Sequence, residues 1–172
     1  TGEPPHRLAQ RGIARTFQIV QPFVGLSVRE NILVGAHLHH RTRSAALAVA
    51  DQIGHDVGLG EFLDRPADAL TVAGRKRLEL ARALSIEPRI LLLDEILAGL
   101  NASEINESID LIRSFAHEDG LAVIMIEHNL HAVMSLADKV VVLDYGRKIA
   151  EGKPEEVVRD PAVVAAYLGS DD

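Results

Sequence analysis

An unbroken aliphatic run that ends in two adjacent carboxylates constrains this chain more than any other feature. Residues 90–93 are Ile-Leu-Leu-Leu, and Asp94 and Glu95 follow them in ILLLDEILAGLN. Because such a run has no polar face, it predicts a strand covered on both sides, as in parallel sheets packed between helices. Ligands of these sheets bind at the carboxyl ends of the strands, where two acids can hold a hydrated divalent cation and polarise a water. An acid pair that only begins a solvated loop is the alternative.

A second apolar strand is predicted one helix later. The helix should be capped by Ser103 and run to about Glu118, and residues 121–126 are again continuously apolar before Glu127 and His128. A strand, a crossover helix and a strand are almost always parallel near neighbours, so both polar ends should share one edge of the sheet. His128 is therefore a candidate contact for the ligand of the acids, and a histidine that only packs or caps is the alternative.

The middle of the chain is predicted to be helical. Ser27 and Glu30 have the spacing of a capping box, and a second helix is expected over about residues 44–53, with Gly54 among the glycines that break it. Further along, residues 139–143 and 147–150 are expected to form a hairpin. Pro154 and Pro161 should each begin a short helix.

A basic helix start is predicted in LTVAGRKRLELARALSIEP, where Thr71 is placed to cap a helix that ends before Pro88. Arg75, Lys76 and Arg77 lie near its first turn, where the helix dipole disfavours each cation by about 0.3–1 kcal/mol. This predicts a negative group facing that end, and a solvated basic face is the alternative.

Composition removes several classes of function. The 172 residues contain no cysteine, which excludes disulfides and thiolate metal sites, and a formal net charge of −7 argues against a broad nucleic-acid-binding surface. No apolar run approaches the roughly 18–20 residues needed to cross a bilayer. The cluster of His37, His39 and His40 lacks neighbouring acids and points its imidazoles in different directions, so a zinc site is not expected there.

Several of these segments occur in the order of the motifs of ABC transporter ATP-binding subunits and resemble them over nearly the whole chain. ILLLDE resembles the Walker B strand, AGLN (residues 98–101) the D-loop, MIEHN the switch segment, GIARTFQ the Q-loop strand and LTVAGRKRLELARAL the signature segment. The ending GRKIAEGKPEEVVRDPAVVAAYLG resembles the tail of the branched-chain amino acid uptake group. The resemblance implies an ATPase that powers import of a small solute, and the ending implies that this solute is a branched-chain amino acid.

The resemblance also implies roles for single residues. Asp94 would hold Mg through water, Glu95 would orient or deprotonate the attacking water, His128 would contact the γ-phosphate, and Gln18 would touch Mg and the water. Asn101 of the D-loop would contact the nucleotide. The signature residues, which would cover the ATP bound by a partner subunit, are Thr71, Val72, Ala73 and Gly74.

The implied fold is α/β and P-loop NTPase-like (RecA-like), a mostly parallel sheet between helices with an inserted helical subdomain. Residues 1–26 and 86–172 would form the ATPase core, and residues 27–85 the helical subdomain with the signature segment. The implied partners are a second ATP-binding subunit, in a homodimer or heterodimer, and membrane permease subunits, with no direct nucleic acid. The protein would be cytoplasmic and peripheral on the inner face of the cell membrane.

The sequence differs from the family pattern in three places. The phosphate-binding loop GxxxxGK[ST] is absent, so we expect a fragment or truncated form that is incomplete at its N-terminus and inactive by itself. Ala73 stands where the signature has a glycine that lets the backbone approach phosphate, and Gly74 where it has glutamine. Ile96 stands where proline usually follows the acid pair, which changes loop stiffness more than chemistry.

The sequence leaves two alternative functions open. A soluble ABC protein of DNA repair or translation would need large insertions or coiled-coil arms, and none is visible in the sequence. A non-catalytic interaction module is favoured by the absent phosphate loop and by Ala73. The presence of Asp94, Glu95, Gln18 and His128 favours an active parent, because a remnant has no physical need of all four.

Overall fold

The computed structural model describes residues 2–17, 21–118 and 120–168 of the chain, which divides into two compact units, residues 1–126 and 127–172. The helices are α1 (Pro5–Gln10), α2 (Val28–Ala36), α3 (Arg43–Asp56), α4 (Val72–Leu84), α5 (Ala102–Glu118), α6 (Leu130–Leu136), α7 (Pro154–Val157) and α8 (Pro161–Leu168). The strands are β1 (Ile13–Arg15), β2 (Ile90–Asp94), β3 (Ala122–Ile126), β4 (Val140–Asp144) and β5 (Arg147–Gly152). No described helix is both long and apolar enough to span a membrane.

The first unit contains a parallel sheet in the order β1-β2-β3. β2 pairs with β3 from Ile90 opposite Ala122 to Asp94 opposite Ile126, and α5 connects the two strands. This confirms the prediction that the carboxyl ends of the two apolar strands lie side by side at one edge of the sheet.

The two faces of this sheet differ in burial. Leu91 is 1% exposed, whereas Ile124 and Ile126 are 60% and 64% exposed. Ile124 lies beside Leu92 and Ile126 beside Asp94 in the parallel register, so the exposed side chains share one face. The prediction that both strands are covered on both sides is wrong for β3, because Ile124 and Ile126 are more than half exposed.

Helices α2, α3 and α4 pack against one another beside the sheet. Ser27 and Glu30 form the predicted capping box at the start of α2. A Cβ atom built on Gly35 would lie 2.0 Å from the hydroxyl oxygen of Ser85, so α2 and α4 can approach this closely only with glycine at that position. The prediction that Gly54 breaks α3 is wrong, since the helix continues to Asp56 and the missing side chain of Gly54 makes room for Leu63.

The cap of α5 also differs from the prediction. Asn101, not Ser103, caps the helix: its Oδ1 accepts the Glu104 N–H at 3.1 Å, and Glu104 Oε2 accepts the Asn101 N–H at 2.9 Å. This reciprocal pair satisfies two backbone donors at once, which outcompetes a cap two residues later.

The second unit contains the predicted hairpin. β4 and β5 pair in antiparallel fashion, with the strand bounds shifted by one or two residues from the expected ones. Helices α7 and α8 begin at Pro154 and Pro161, as predicted. Both prolines sit at a first helical position, where the missing N–H costs nothing.

Candidate functional site

The acid pair lies where β2 leaves the sheet. Asp94 is the last residue of β2, and Glu95 has a φ of 46°, which is in the left-handed region. The Glu95 N–H donates to the Ile126 carbonyl at 3.0 Å, so pairing with β3 continues into the turn. A non-glycine residue held in a sparsely populated backbone region costs about 1–3 kcal/mol, and such residues cluster at functional sites. The acids therefore stand in a fixed, strained turn rather than in a solvated loop.

Asp94 is bound by two residues of the neighbouring segment, Arg15 in β1 and Thr16 directly after it. Its Oδ2 accepts from Arg15 Nη2 at 2.8 Å, and its N–H donates to the hydroxyl of the fully buried Thr16 at 3.3 Å. The Arg15 side chain is 58% exposed and that of Asp94 24%. Because an exposed ion pair contributes only about 0–1 kcal/mol, a cation that binds Asp94 can displace Arg15 at little cost.

The oxygen donors at this strand end fit Mg²⁺. Proteins hold this ion through one or two carboxylates, several waters and the phosphates of a substrate, rather than in a cage of protein ligands. Within the described ranges, no group of three or more His, Cys, Asp or Glu side chains could hold a metal ion. Asp94 therefore suits a magnesium ion that arrives with phosphate ligands.

The structure does not test the positions of two residues that are predicted to act beside the acids. Gln18 lies outside the described residues. His128 belongs to the second unit, in the connection between β3 and α6, where the next residue, Asn129, caps α6 by accepting the Ala132 N–H at 3.0 Å. The predicted roles of Gln18 and His128 stay predictions.

The start of α4, where the signature residues lie, is a surface segment. Thr71 is the predicted N-cap, since its hydroxyl accepts the Gly74 N–H at 3.1 Å, and the Val72 side chain is 55% exposed. Ala73 has helical backbone, so its Cβ introduces no strain. A Cβ atom on Gly74 would lie 3.2 Å from that of Leu70, so a larger residue at this position must press on the buried Leu70.

Asn101 is exposed and already holds the start of α5 through the reciprocal bonds with Glu104. A nucleotide contact by the Asn101 side chain would compete with this cap. The role of Asn101 in nucleotide binding also stays a prediction.

The basic start of α4 has partners within the chain. Lys76 is only 9% exposed and donates from Nζ to the Glu95 carbonyl at 3.3 Å. Arg77 pairs with Glu107 of α5. The alternative of a solvated basic face is therefore wrong for Lys76, and neither of these two cations needs an anion from outside the chain.

Sequence reasoning missed two charged residues further along α4. Glu79 is 4% exposed, and its carboxylate accepts from Arg82 Nη1 at 2.8 Å. Burial raises the pKa of Glu79, although Arg82, the Phe17 N–H and Lys76 act in the opposite direction. The available signal was the spacing of Lys76, Glu79 and Arg82 at every third position, which makes each charged side chain the neighbour of the next along the helix.

Comparison with known protein families gives two matches. Residues 2–98 match the family described as ABC transporter, and residues 147–172 match the family described as branched-chain amino acid ATP-binding cassette transporter.

Named relatives agree with these families. The chain is 37% identical to the high-affinity branched-chain amino acid transport ATP-binding protein BraF of Pseudomonas aeruginosa, over 98% of this chain and 72% of that protein. It is 35% identical to the corresponding protein LivG of Escherichia coli, over the same shares of the two chains. It is also 33% identical to the sulfate/thiosulfate import ATP-binding protein CysA of Mycobacterium bovis, over 99% of this chain and 48% of that protein.

Solved structures show the same fold. A nucleotide-free ATP-binding cassette from an ABC transporter superposes with a TM-score of 0.84 at 28% identity, over 99% of this chain and 74% of that one. An ATP-binding cassette in its ADP conformation gives a TM-score of 0.82 at 28% identity, over 99% and 73%. The predicted α/β fold of the P-loop NTPase type is confirmed.

Proposed function

Since the chain belongs to the ABC transporter family of ATP-binding proteins, we propose that it is the ATP-hydrolysing subunit of an importer for branched-chain amino acids. The match of residues 147–172 and the names of BraF and LivG support this solute class. The similarity to CysA supports import of some small solute without favouring amino acids. The solute itself is selected by other subunits of such a transporter.

The acid pair is the observation that carries the hydrolytic function. Asp94 and Glu95 stand at the carboxyl end of a central parallel strand, and Glu95 is held in left-handed backbone by the sheet bond to Ile126. A packed interaction module has no use for this strain, whereas hydrolysis needs a base held in a fixed place beside the phosphate.

Each acid has a separate task in the proposed reaction. Asp94 would hold Mg²⁺ through water, and the ion, when bound with ATP, neutralises charge on the phosphate oxygens. Glu95 would orient the attacking water and accept its proton, as a general base one residue beyond the strand. Gln18 would contribute to the same water and ion, and His128 would contact the γ-phosphate.

Binding of ATP requires a phosphate cradle that these 172 residues do not contain. Backbone amides, a lysine and a hydroxyl of the GxxxxGK[ST] loop meet most of the charge of the nucleotide, and an acid pair without them repels it. The exposed face that carries Ile124 and Ile126 also carries Asp94, so a segment with this loop would cover apolar surface where it meets the acids. Without that segment the chain is inactive.

A second subunit would complete the site from outside. The exposed start of α4, with Thr71, Val72, Ala73 and Gly74, would lie over the γ-phosphate held by the partner, and Asn101 would contribute from the D-loop. Residues 27–85 would form the helical subdomain that meets the permease, at the cytoplasmic face of the membrane. Hydrolysis would then drive transport by resetting the dimer.

A non-catalytic interaction module is the second candidate. Arg15 already neutralises Asp94, and Ala73 adds a methyl group where the signature brings its backbone to phosphate. Such a module would bind its partner through the helical region and turn over no nucleotide.

Reconstitution with permease subunits tests the proposal. A cassette in which a phosphate-binding segment precedes this chain should hydrolyse ATP and drive leucine uptake into vesicles, with sulfate as the control solute. Uptake of sulfate alone would contradict the solute class. Binding to the permease without hydrolysis would favour the interaction module.

A further inference from the structure

A row of three charged side chains runs along the buried side of α4. Lys76, Glu79 and Arg82 lie at i, i+3 and i+6, a spacing that makes each one the neighbour of the next on successive turns of the helix. Lys76 is 9% exposed, Glu79 4%, and the Arg82 side chain 22%. Charged side chains are almost never this buried unless they are paired, so the row needs partners.

The first partner is the backbone of the proposed base. Lys76 Nζ donates to the carbonyl of Glu95 at 3.3 Å, at the residue whose φ is 46°. A buried ammonium bound to this carbonyl stabilises the peptide unit that leaves the strained residue. Lys76 therefore links α4 to the strand end that bears the acids.

The other partners lie on both sides of the segment that contains Gln18. The backbone N–H of Phe17 donates to the Glu79 carboxylate. Arg82 Nη1 donates to the Gln21 carbonyl at 3.1 Å, and its guanidinium lies 4.5 Å from the centre of the Phe23 ring. Because Arg82 Nη1 also donates to Glu79 Oε2 at 2.8 Å, one ion pair holds both flanks of this segment.

We propose that the row Lys76, Glu79 and Arg82 is a positioning device that ties the signature helix to the base Glu95 and to the described residues on either side of Gln18. This proposal rests on the proposed function, and it assigns to none of the three residues a contact with the nucleotide. A partner subunit that engages the exposed start of α4 thereby changes the position of the groups that act on the attacking water. Guanidinium geometry is needed at Arg82, because one planar group serves a carboxylate, a carbonyl and an aromatic face.

Amide hydrogen exchange of the 172-residue chain tests the contacts without nucleotide. Glu79→Ala should speed exchange of the Phe17 amide by about tenfold, the effect of losing one hydrogen bond to a charged group, while amides of α5 change less than about twofold. Glu107→Gln, which removes the partner of Arg77 away from the row, should leave Phe17 unchanged. An unchanged Phe17 amide in Glu79→Ala, or an equal rise along the whole chain, would overturn the proposal. If Glu79→Ala fails to fold, Glu79→Gln replaces it with the Phe17 amide still as the reporter, because loss of the charge weakens the same hydrogen bond.

Turnover of a cassette completed with a phosphate-binding segment tests the consequence. Arg82→Gln should lower kcat by at least about tenfold with KM for ATP within about twofold, because misplacing catalytic groups by a fraction of an ångström affects the chemical step more than binding. Arg82→Lys should recover part of kcat, and Glu107→Gln should retain all of it. An unchanged kcat in Arg82→Gln, or a loss confined to KM, would overturn the positioning role. A parent cassette that hydrolyses no ATP would instead overturn the proposed function, and the exchange result would still decide the contacts of the row.

Discussion

The strand end that bears the acids and the start of the signature helix are built in opposite ways. Glu95 is strained, bound to β3 through its own N–H, and bound to Lys76 through its carbonyl. At the start of α4, Val72 is 55% exposed and the Thr71 hydroxyl supplies the cap. The difference teaches that the proposed base is positioned by contacts within the chain, whereas the surface proposed for the partner's phosphate gains its contacts only on dimerisation.

Glu95→Gln should give the largest effect. In a cassette completed with a phosphate-binding segment, loss of the general base should slow steady-state hydrolysis by about 10²- to 10⁴-fold, while ATP affinity is retained. Glu155→Gln, at an exposed position of α7, is a matched loss of one carboxylate and should change turnover little. Unchanged turnover in Glu95→Gln would show that Glu95 is not the general base. The difference between a positioned catalytic group and a surface that awaits its partner would then have no support.

Ala73→Gly should act in the opposite direction at the signature start. Removing the methyl group relieves an unfavourable contact with phosphate of about 1 kcal/mol. Turnover in a steady-state assay should therefore rise about fivefold, and so should the amount of ATP-dependent dimer measured by sedimentation. The same change should lower the free energy of unfolding by about 0.5–1 kcal/mol, because glycine weakens a helix. Ala45→Gly, in the first turn of α3, should show the loss of stability alone. If Ala73→Gly also gains no dimer, the methyl group does not obstruct closure.

Thr71→Ala separates helix capping from partner binding. It should lower the free energy of unfolding by about 1 kcal/mol in denaturant titration, and Ser27→Ala at the cap of α2 should cost a similar amount. Only Thr71→Ala should reduce ATP-dependent dimer, since only that cap orders the proposed phosphate contact. Equal dimer formation by the two variants would place the partner contact elsewhere.

The pH dependence of stability should distinguish the buried row from exposed caps. Burial raises the pKa of Glu79 above its value in the unfolded chain, so the free energy of unfolding should fall as pH rises through that raised pKa. Hydrogen bonds from the Ser27 backbone and hydroxyl lower the pKa of Glu30, so its contribution should instead be lost as pH falls through the lowered pKa. Denaturant titrations between pH 3 and 7 should show that Glu79→Gln removes the first dependence and retains the second. Retention of both would contradict the burial of a titrating Glu79.

Features that depend on neighbouring residues in the sequence were predicted correctly. Ser27 and Thr71 were recognised as caps from spacing alone, and the shared edge of β2 and β3 follows from the handedness of crossover connections. Gly54 was predicted wrongly, because its place within α3 depends on the fit of Leu63, which folds back on the helix from the short turn that follows it. The pairing of Glu79 with Arg82 could have been predicted from their spacing on α4, whereas the bond from the Phe17 N–H could not, because Phe17 is far away in the sequence.

The central claim is that this chain supplies the acids of an ATPase site whose affinity for ATP comes from a separate phosphate cradle. Thermal unfolding of the 172-residue chain with and without millimolar MgATP tests it directly. A ligand at one hundred times its Kd adds about 2.7 kcal/mol of stability, which moves the melting temperature by several degrees. We predict no shift for this chain, and a shift once a phosphate-binding segment is joined to it. A clear shift in this chain alone that Asp94→Ala abolishes would contradict the account.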